Sequence, residues 1–361
     1  MSASPARPPF RSRAAVSNPQ GRYESLRIEP ADDGWGGEDE LPPSPGTRFD
    51  ADRPKRAITR NKSPDVPFEA SVNPYQGCEH GCIYCFARPS HAYWNLGPGL
   101  DFETRIFHKP GLAQLLEREI SADGYLCKPI NLGANTDPYQ PAERRYRTTR
   151  TVLEVLLEHR HPLTIVTKGA LILRDLDLLR ELAGLRLVSV MISLTTLDDE
   201  LKRRMEPRAA APRKRLSVIR SLSDAGVPVG VLLAPLIPAL NDHEIERMLA
   251  AAKSAGARAA AYLLLRLPGE LGELFSEWLY THYPLRAERV LGLLSDLRGG
   301  RLNDPRFGHR MRGEGAYADL LAARFTAACR REGLAADTAV ELDASQFRGA
   351  AAAERQQQMQ F

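Results

Sequence analysis

Six short apolar runs, spaced by stretches of helical periodicity, constrain the fold of this chain more than any other feature. They are "EASVNPY" (69–75), "PINLGAN" (129–135), "LTIVTKG" (163–169), "LVSVMISL" (187–194), "VPVGVLLAP" (227–235) and "AAAYLLLRLP" (259–268). Apolar residues dominate both faces of each run, which suits parallel strands covered by helices. The segments between them, "TRTVLEVLLEHRH", "LRDLDLLRELAG", "RKRLSVIRSLSDAG" and "NDHEIERMLAAAKSAGA", carry a helical repeat. Gly184, Gly226 and Gly256 each stand where a left-handed helix cap is expected, and Asn241 or Asp242 where an N-cap is. Six βα units with right-handed crossovers predict an α/β protein, an incomplete (β/α)6 TIM-like barrel over residues 66–270.

The flanks read differently. Residues 1–65 are rich in Pro, Ser, Gly, Arg and Asp without periodicity, so we expect a disordered or loosely draped N-terminal arm. Residues 271–345 read as a helical C-terminal extension beside the open side of the barrel, and 346–361 as a frayed tail.

The formal charge of +4 permits a polyanionic partner without arguing for one. No apolar run reaches the roughly 18–20 residues of a membrane span. The start, "MSASPARPPFRSRAAV", lacks the apolar core of a secretory signal, so a cytoplasmic protein is expected. In that reducing compartment clustered cysteines read as metal ligands rather than disulfides.

Three of the five cysteines are so clustered. "GCEHGCIYCFA" places Cys78, Cys82 and Cys85 at C-x3-C-x2-C spacing in the loop after the first strand. Gly77 and Gly81 permit the turns that wrap a short loop around a metal centre. A zinc site needs a fourth ligand, for which His80, Cys127 or Cys329 is available outside any paired motif. A cubane iron–sulfur cluster can instead be held by three thiolates, with one iron open. Loops leaving the C-terminal strand ends build the active sites of βα barrels, which favours the cluster.

The motif, its position and the barrel resemble the radical S-adenosylmethionine (SAM) superfamily. "SVNPYQGCEHGCIYCFARPSHAYWN", "TDPYQPAE", "TIVTKG" and "ISLTT" resemble more narrowly its spore photoproduct lyase-like branch and that branch's uncharacterised bacterial relatives, over roughly residues 55–335. The resemblance implies a 4Fe-4S cluster on Cys78, Cys82 and Cys85, with SAM chelated at the open iron. It implies that Tyr84, directly before the third cysteine, lies near the adenine. Gly133, Ala134 and Asn135 correspond to the segment that binds the SAM amino group, and Asp137 would accept a hydrogen bond or order that loop. Lys168 resembles the lysine that pairs with the SAM carboxylate, a charge-assisted contact. Ser193 would bond the carboxylate or ribose; Thr195 and Thr196 are weaker candidates.

Other residues carry two readings. Arg266 leaves the sixth strand and either binds a substrate carboxylate or phosphate, or pairs with Glu270 or Glu273. Arg88, His91, Tyr93 and Trp94 either shield the cluster or stack on a base. "VLLAPLIPALND" either packs on adenine or is core. "RRMEPRAAAPRKR" (203–215) reads as a solvated basic face or, on the active-site side, as an attractor of a polyanion.

The implied function is reductive cleavage of SAM to a 5'-deoxyadenosyl radical that abstracts hydrogen from an unknown substrate, nucleic acid among the candidates. Catalytic residues proper stay unassigned. An electron donor such as flavodoxin or ferredoxin is expected, and a monomer. Alternatives are a tRNA- or protein-modifying radical SAM enzyme, or a non-catalytic zinc or iron–sulfur module that binds nucleic acid. The branch's dimer-repairing lyase has a hydrogen-donating cysteine after its second strand, where this chain has Ala134 and Asn135. Thymine-dimer repair is therefore not carried over.

Overall fold

A computed structural model describes residues 10, 12–23, 45–336 and 341–349. Its strands are β1 (Arg48–Ala51), β2 (Ile58–Arg60), β3 (Ala70–Val72), β4 (Tyr75–Gln76), β5 (Arg105–His108), β6 (Ile130–Leu132), β7 (Leu163–Thr167), β8 (Val188–Ser193), β9 (Val229–Leu236) and β10 (Ala259–Leu264). The α-helices are α1 (Leu100–Thr104), α2 (Leu112–Ile120), α3 (Glu143–Tyr146), α4 (Thr148–Glu158), α5 (Leu176–Gly184), α6 (Asp199–Met205), α7 (Pro212–Asp224), α8 (Ile245–Ser254), α9 (Leu271–His282), α10 (Pro284–Asp296) and α11 (Ala316–Glu332).

The six apolar runs form β3, β6, β7, β8, β9 and β10, which pair in chain order and in parallel. β2 closes one edge antiparallel to β3. This is the strand order of a partial βα barrel, and every side chain of β8 is buried, as a central parallel strand requires. The strands are shorter than the apolar runs. Tyr75, expected in the first strand, belongs instead to β4, in a second small sheet of order β1-β5-β4.

Two cores result. Leu132, Ile165, Val190, Val231 and Leu249 belong to the large one, where the sheet meets its helices. The second holds Ile83, Tyr84, Met205, Ile237, Leu267, Phe275 and Trp278, so α9 and α10 lean on the cysteine loop. α11 packs on α8, and Phe325 meets Tyr262 of β10 at 4.7 Å.

Several expectations need correction. The N-terminal arm is not loose where it is described: Ala14, Ala15 and Val16 are buried, and β1 and β2 lie within residues 1–65. The tail holds at 346–348, where Phe347 packs edge-on against His161 and Arg348 N donates to His159 O at 2.9 Å; 350–361 lies outside the described residues. Gly226 and Gly256 are left-handed as expected, but after α5 the left-handed residue is Arg186, not Gly184. Neither Asn241 nor Asp242 caps α8 through its side chain. The Asn241 amide instead donates to Thr195 O (2.7 Å) and Pro235 O (3.0 Å), tying the ends of β8 and β9 together.

Candidate active site

The cysteine loop leaves β3 and β4 at the C-terminal edge of the parallel sheet. Its two sharp turns fall at Gly77 (φ +76°) and Gly81 (φ +66°). A Cβ at Gly77 would meet His91 Cε1 at 2.8 Å and Arg105 O at 2.9 Å; at Gly81 it would meet the Glu103 carboxylate at 2.7 Å. Only glycine tolerates both the dihedral and the crowding.

Beneath the loop lies a fully buried ion pair, Arg88 to Glu103 at 2.6 Å. Arg88 also donates to the carbonyls of Cys82 (2.8 Å), Gly81 (3.1 Å), Pro98 (3.0 Å) and Gly99 (2.8 Å). Glu103 in turn accepts the backbone N–H of Ala14 (3.2 Å) and Ala15 (2.9 Å). A buried charge survives only when so completely bonded. Thus the segment around Ala14 and Ala15 is strapped across the loop that bears the cysteines. His91 donates from Nε2 to Arg105 O at 2.9 Å, and burial pushes it down to about 4. Arg88 and His91 therefore support the loop, whereas Tyr93, 77% exposed, faces outward. On the other flank the Gln140 amide donates to Gly77 O (3.0 Å) and accepts from Glu79 N (2.9 Å).

Cys78, Cys82 and Cys85 are all free thiols. Burial is the largest influence on each and pushes all three up. Asp137 adds to this at Cys78, and Glu206 at Cys82, which reaches about 12. Cys82 and Cys85 also act on Cys78, so the three share one electrostatic neighbourhood. Bare thiolates are disfavoured there, and a bound cationic group would relieve them. Among the described residues no three His, Cys, Asp or Glu side chains converge as they would on a single ion. Thiolates holding a cubane bind separate irons and need not converge. The donor set therefore fits a cluster.

The residues expected around SAM come together beside this loop. Lys168, just after β7, donates from Nζ to Ser193 Oγ at the end of β8 (2.9 Å) and lies 5.6 Å from the centre of the Tyr84 ring. Its charge lowers the pKa of both Cys82 and Cys85. Asp137 orders the loop after β6: it accepts from Lys168 N (2.8 Å), Thr167 Oγ1 (2.6 Å) and Tyr139 N (2.8 Å), with His80 Nδ1 at 3.2 Å. Burial acts to raise it, but His80 and these donors outweigh burial and hold it well below the usual carboxylate range. Gly133 N donates to Val72 O (2.9 Å), and Asn135 bonds Asn73 Oδ1 (2.7 Å) and Ser90 Oγ (3.1 Å). Gly133, Ala134 and Asn135 are all partly exposed.

One arrangement goes beyond the sequence reading. Glu206 follows α6 and is fully buried, accepting from the Tyr84 hydroxyl, from Thr195 Oγ1 (2.7 Å) and from the Arg215 guanidinium. Arg215 also donates to Ser193 O at 2.9 Å. Burial would raise Glu206, but Arg215 and then Lys168 outweigh it and hold the carboxyl at about 2. The stretch 203–215 is thus no plain solvated face: it delivers a buried ion pair that anchors Tyr84. The available signal was Glu206 itself, the one acid among seven basic residues of 202–215. Thr196 is held by Glu244. Arg266 pairs with neither Glu270 nor Glu273; Glu270 binds Arg22 at 3.1 Å.

Cys127 precedes β6 at the opposite strand end, and Cys329 is buried in α11. Changing either to Ser should leave the iron content of reconstituted protein unaltered; loss of iron in either variant would refute their exclusion from the metal site.

At its C-terminal edge the parallel βα sheet thus carries a loop with three free cysteines and a lysine beside it. The chain belongs to the radical SAM superfamily, whose sequence model matches residues 72–252. That superfamily uses a 4Fe-4S cluster and S-adenosylmethionine, and its enzymes draw an electron from a reductant. Similar proteins include an uncharacterised protein of Mycobacterium tuberculosis, 38% identical over 229 residues, 62% of this chain and 67% of that one. Another, from Methanocaldococcus jannaschii, is 27% identical over 53% of this chain and 68% of that one. In fold the chain resembles spore photoproduct lyase complexed with dinucleoside spore photoproduct, with TM-score 0.59 and 14% identity, covering 80% and 81% of the two chains. No helix among the described residues is long and apolar enough to cross a membrane.

Proposed function

We propose that this protein is a radical SAM enzyme whose cluster is held by Cys78, Cys82 and Cys85 and whose SAM is held by Tyr84, Gly133–Asn135, Lys168 and Ser193. One observation carries the reading: the Lys168 ammonium, bonded to Ser193 Oγ and beside the Tyr84 ring, stands over the cysteine loop. When bound, the cluster and SAM supply an electron-driven cleavage of SAM to methionine and a 5'-deoxyadenosyl radical that abstracts hydrogen from a substrate. The chain's own residues bind, orient and exclude water. Lys168 supplies the charge for the SAM carboxylate, Ser193 fixes its ammonium, and the Glu206–Arg215 pair fixes Tyr84. Asp137 shapes the loop that presents the carbonyls of 133–135. The substrate is a molecule seated at the C-terminal strand edge, nucleic acid among the candidates. Flavodoxin or ferredoxin is the fitting class of electron donor.

Lys168→Ala tests this directly. Losing a charge-assisted contact worth roughly 1.5–3 kcal/mol should weaken SAM binding on the order of ten- to hundred-fold. No thiolate is touched, so the iron–sulfur spectrum should stay normal. Lys168→Arg should restore little, since a planar guanidinium does not replace a compact ammonium. Equilibrium SAM binding to reconstituted protein is the measurement, and unchanged affinity in Lys168→Ala would sink the assignment.

A further inference from the structure

A second group of cations gathers past the end of β10. Arg266 lies two residues beyond that strand, and among the described residues its guanidinium touches no carboxylate. Its one hydrogen bond runs from Nη1 to Met311 Sδ at 3.4 Å, and its Nε is buried without an acceptor. A thioether is a weak acceptor for such a donor. Arg298, only 2% exposed, gives Nη1 and Nη2 to the carbonyls of His309 (3.2 Å), Arg310 (2.7 Å) and Leu265 (2.7 Å). Its Nε too is buried without an acceptor. Arg310 completes the group, bonded to Asp65 and Ser63.

The charges do not balance. Asp65 is bound by Arg310 and by Gly308 N (2.7 Å), and Asp304 and Glu314 both hold Arg306 (2.6 and 2.9 Å). That leaves Arg266 and Arg298 without a paired carboxylate among the described residues. Burial, then the charge of Arg310, lowers Arg266; burial, then the charge of Arg266, pushes Arg298 down to about 10. Like charges held together in a partly dehydrated space favour an anion that supplies acceptors.

We propose that Arg266, braced by Arg298 and Arg310, forms a subsite for a phosphate group of the substrate. A phosphoryl group offers the oxygens that forked guanidinium donors bind in pairs, and its charge answers the two unmatched cations. The exposed Phe307 ring, 4.7 Å from the Arg310 guanidinium carbon, adds an aromatic surface at the rim on which a base can stack. The inference rests on the function proposed above, because the subsite follows β10 at the strand edge that also carries Lys168 and Ser193. Phosphate binding itself requires neither cluster nor SAM.

The test is equilibrium binding of inorganic phosphate, a thymidine mononucleotide and a short single-stranded oligothymidylate to the full chain. Arg266→Gln should weaken all three by about ten-fold or more, Arg266→Lys should retain part of the affinity, and Arg213→Gln, at a remote exposed arginine, should change nothing. Phosphate should raise the thermal midpoint of wild type and not of Arg266→Gln, which separates lost binding from lost folding. Tighter binding of the oligomer than of the mononucleotide marks a strand as the phosphate source; equal binding marks a small phosphate ester. Affinity indifferent to Arg266→Gln, or lost equally in Arg213→Gln, overturns the subsite while SAM binding stands. Failure of wild type to cleave SAM with phosphate binding intact counts against the proposed function alone.

Discussion

Replacing Cys78, Cys82 and Cys85 together by alanine should take the reconstituted protein from about four irons per chain to none. The visible absorption should vanish with the iron, and SAM cleavage with both. The expectation rests on the donor inventory. The loop carries three of the chain's five cysteines, and the other two sit at a far strand end and inside α11. The variant should still fold, because Gly77, Gly81 and the Arg88–Glu103 pair shape the loop without any thiol. Iron, sulfide and circular dichroism measured on the same anaerobic preparation decide the matter. A triple variant that keeps its iron, or a wild type that holds one tight zinc after reconstitution, would falsify the cluster assignment.

The second large effect belongs to Glu206. Glu206→Ala leaves the fully buried Arg215 charge without its partner and should destabilise the chain by about 3–5 kcal/mol at neutral pH. The pH dependence has a definite sign. The carboxyl is held at about 2 in the folded chain, against its ordinary 4.5. Its stabilisation is therefore complete above about 4.5 and is lost as pH falls towards 2. By linkage this amounts to about 3 kcal/mol. Urea unfolding of metal-free wild type and variant should show a gap widest at pH 7 and shrinking below 4.5. A variant as stable as wild type at pH 7 would remove the pair from the list of what holds Tyr84.

Much of this was legible because parallel strands leave continuous apolar runs, and the six runs appear in the sheet in chain order. The positions of Lys168, Ser193 and Tyr84 were legible too, through motifs placed at strand ends. Glu206 and Arg215 were not, since a buried ion pair has no periodicity and sits inside a run whose composition reads as solvated. Residues 13–16 were hidden for a related reason. Ala14 and Ala15 meet the Glu103 carboxylate, 89 and 88 residues away, through backbone N–H groups that leave no trace in side-chain composition, while the Arg13 guanidinium reaches Glu103 O at 3.0 Å. Arg266 is legible as a candidate from its place after the sixth run, but that Glu270 is bound by Arg22, 248 residues away, is not.

The strap over the cysteine loop has a consequence for how the metal site meets the outside. Ala14 and Ala15 reach Glu103, and Ser17 reaches Glu277, across sequence separations far longer than those within any βα unit. Contacts of that span close late, after the local units have formed. Releasing the strap would break the bonds of Arg13, Ala14, Ala15 and Ser17 and expose the buried Ala14, Ala15 and Val16, with no strand of the sheet among them. The segment that shares a core with Cys82 is thus held by contacts separate from those that pair the strands of the sheet.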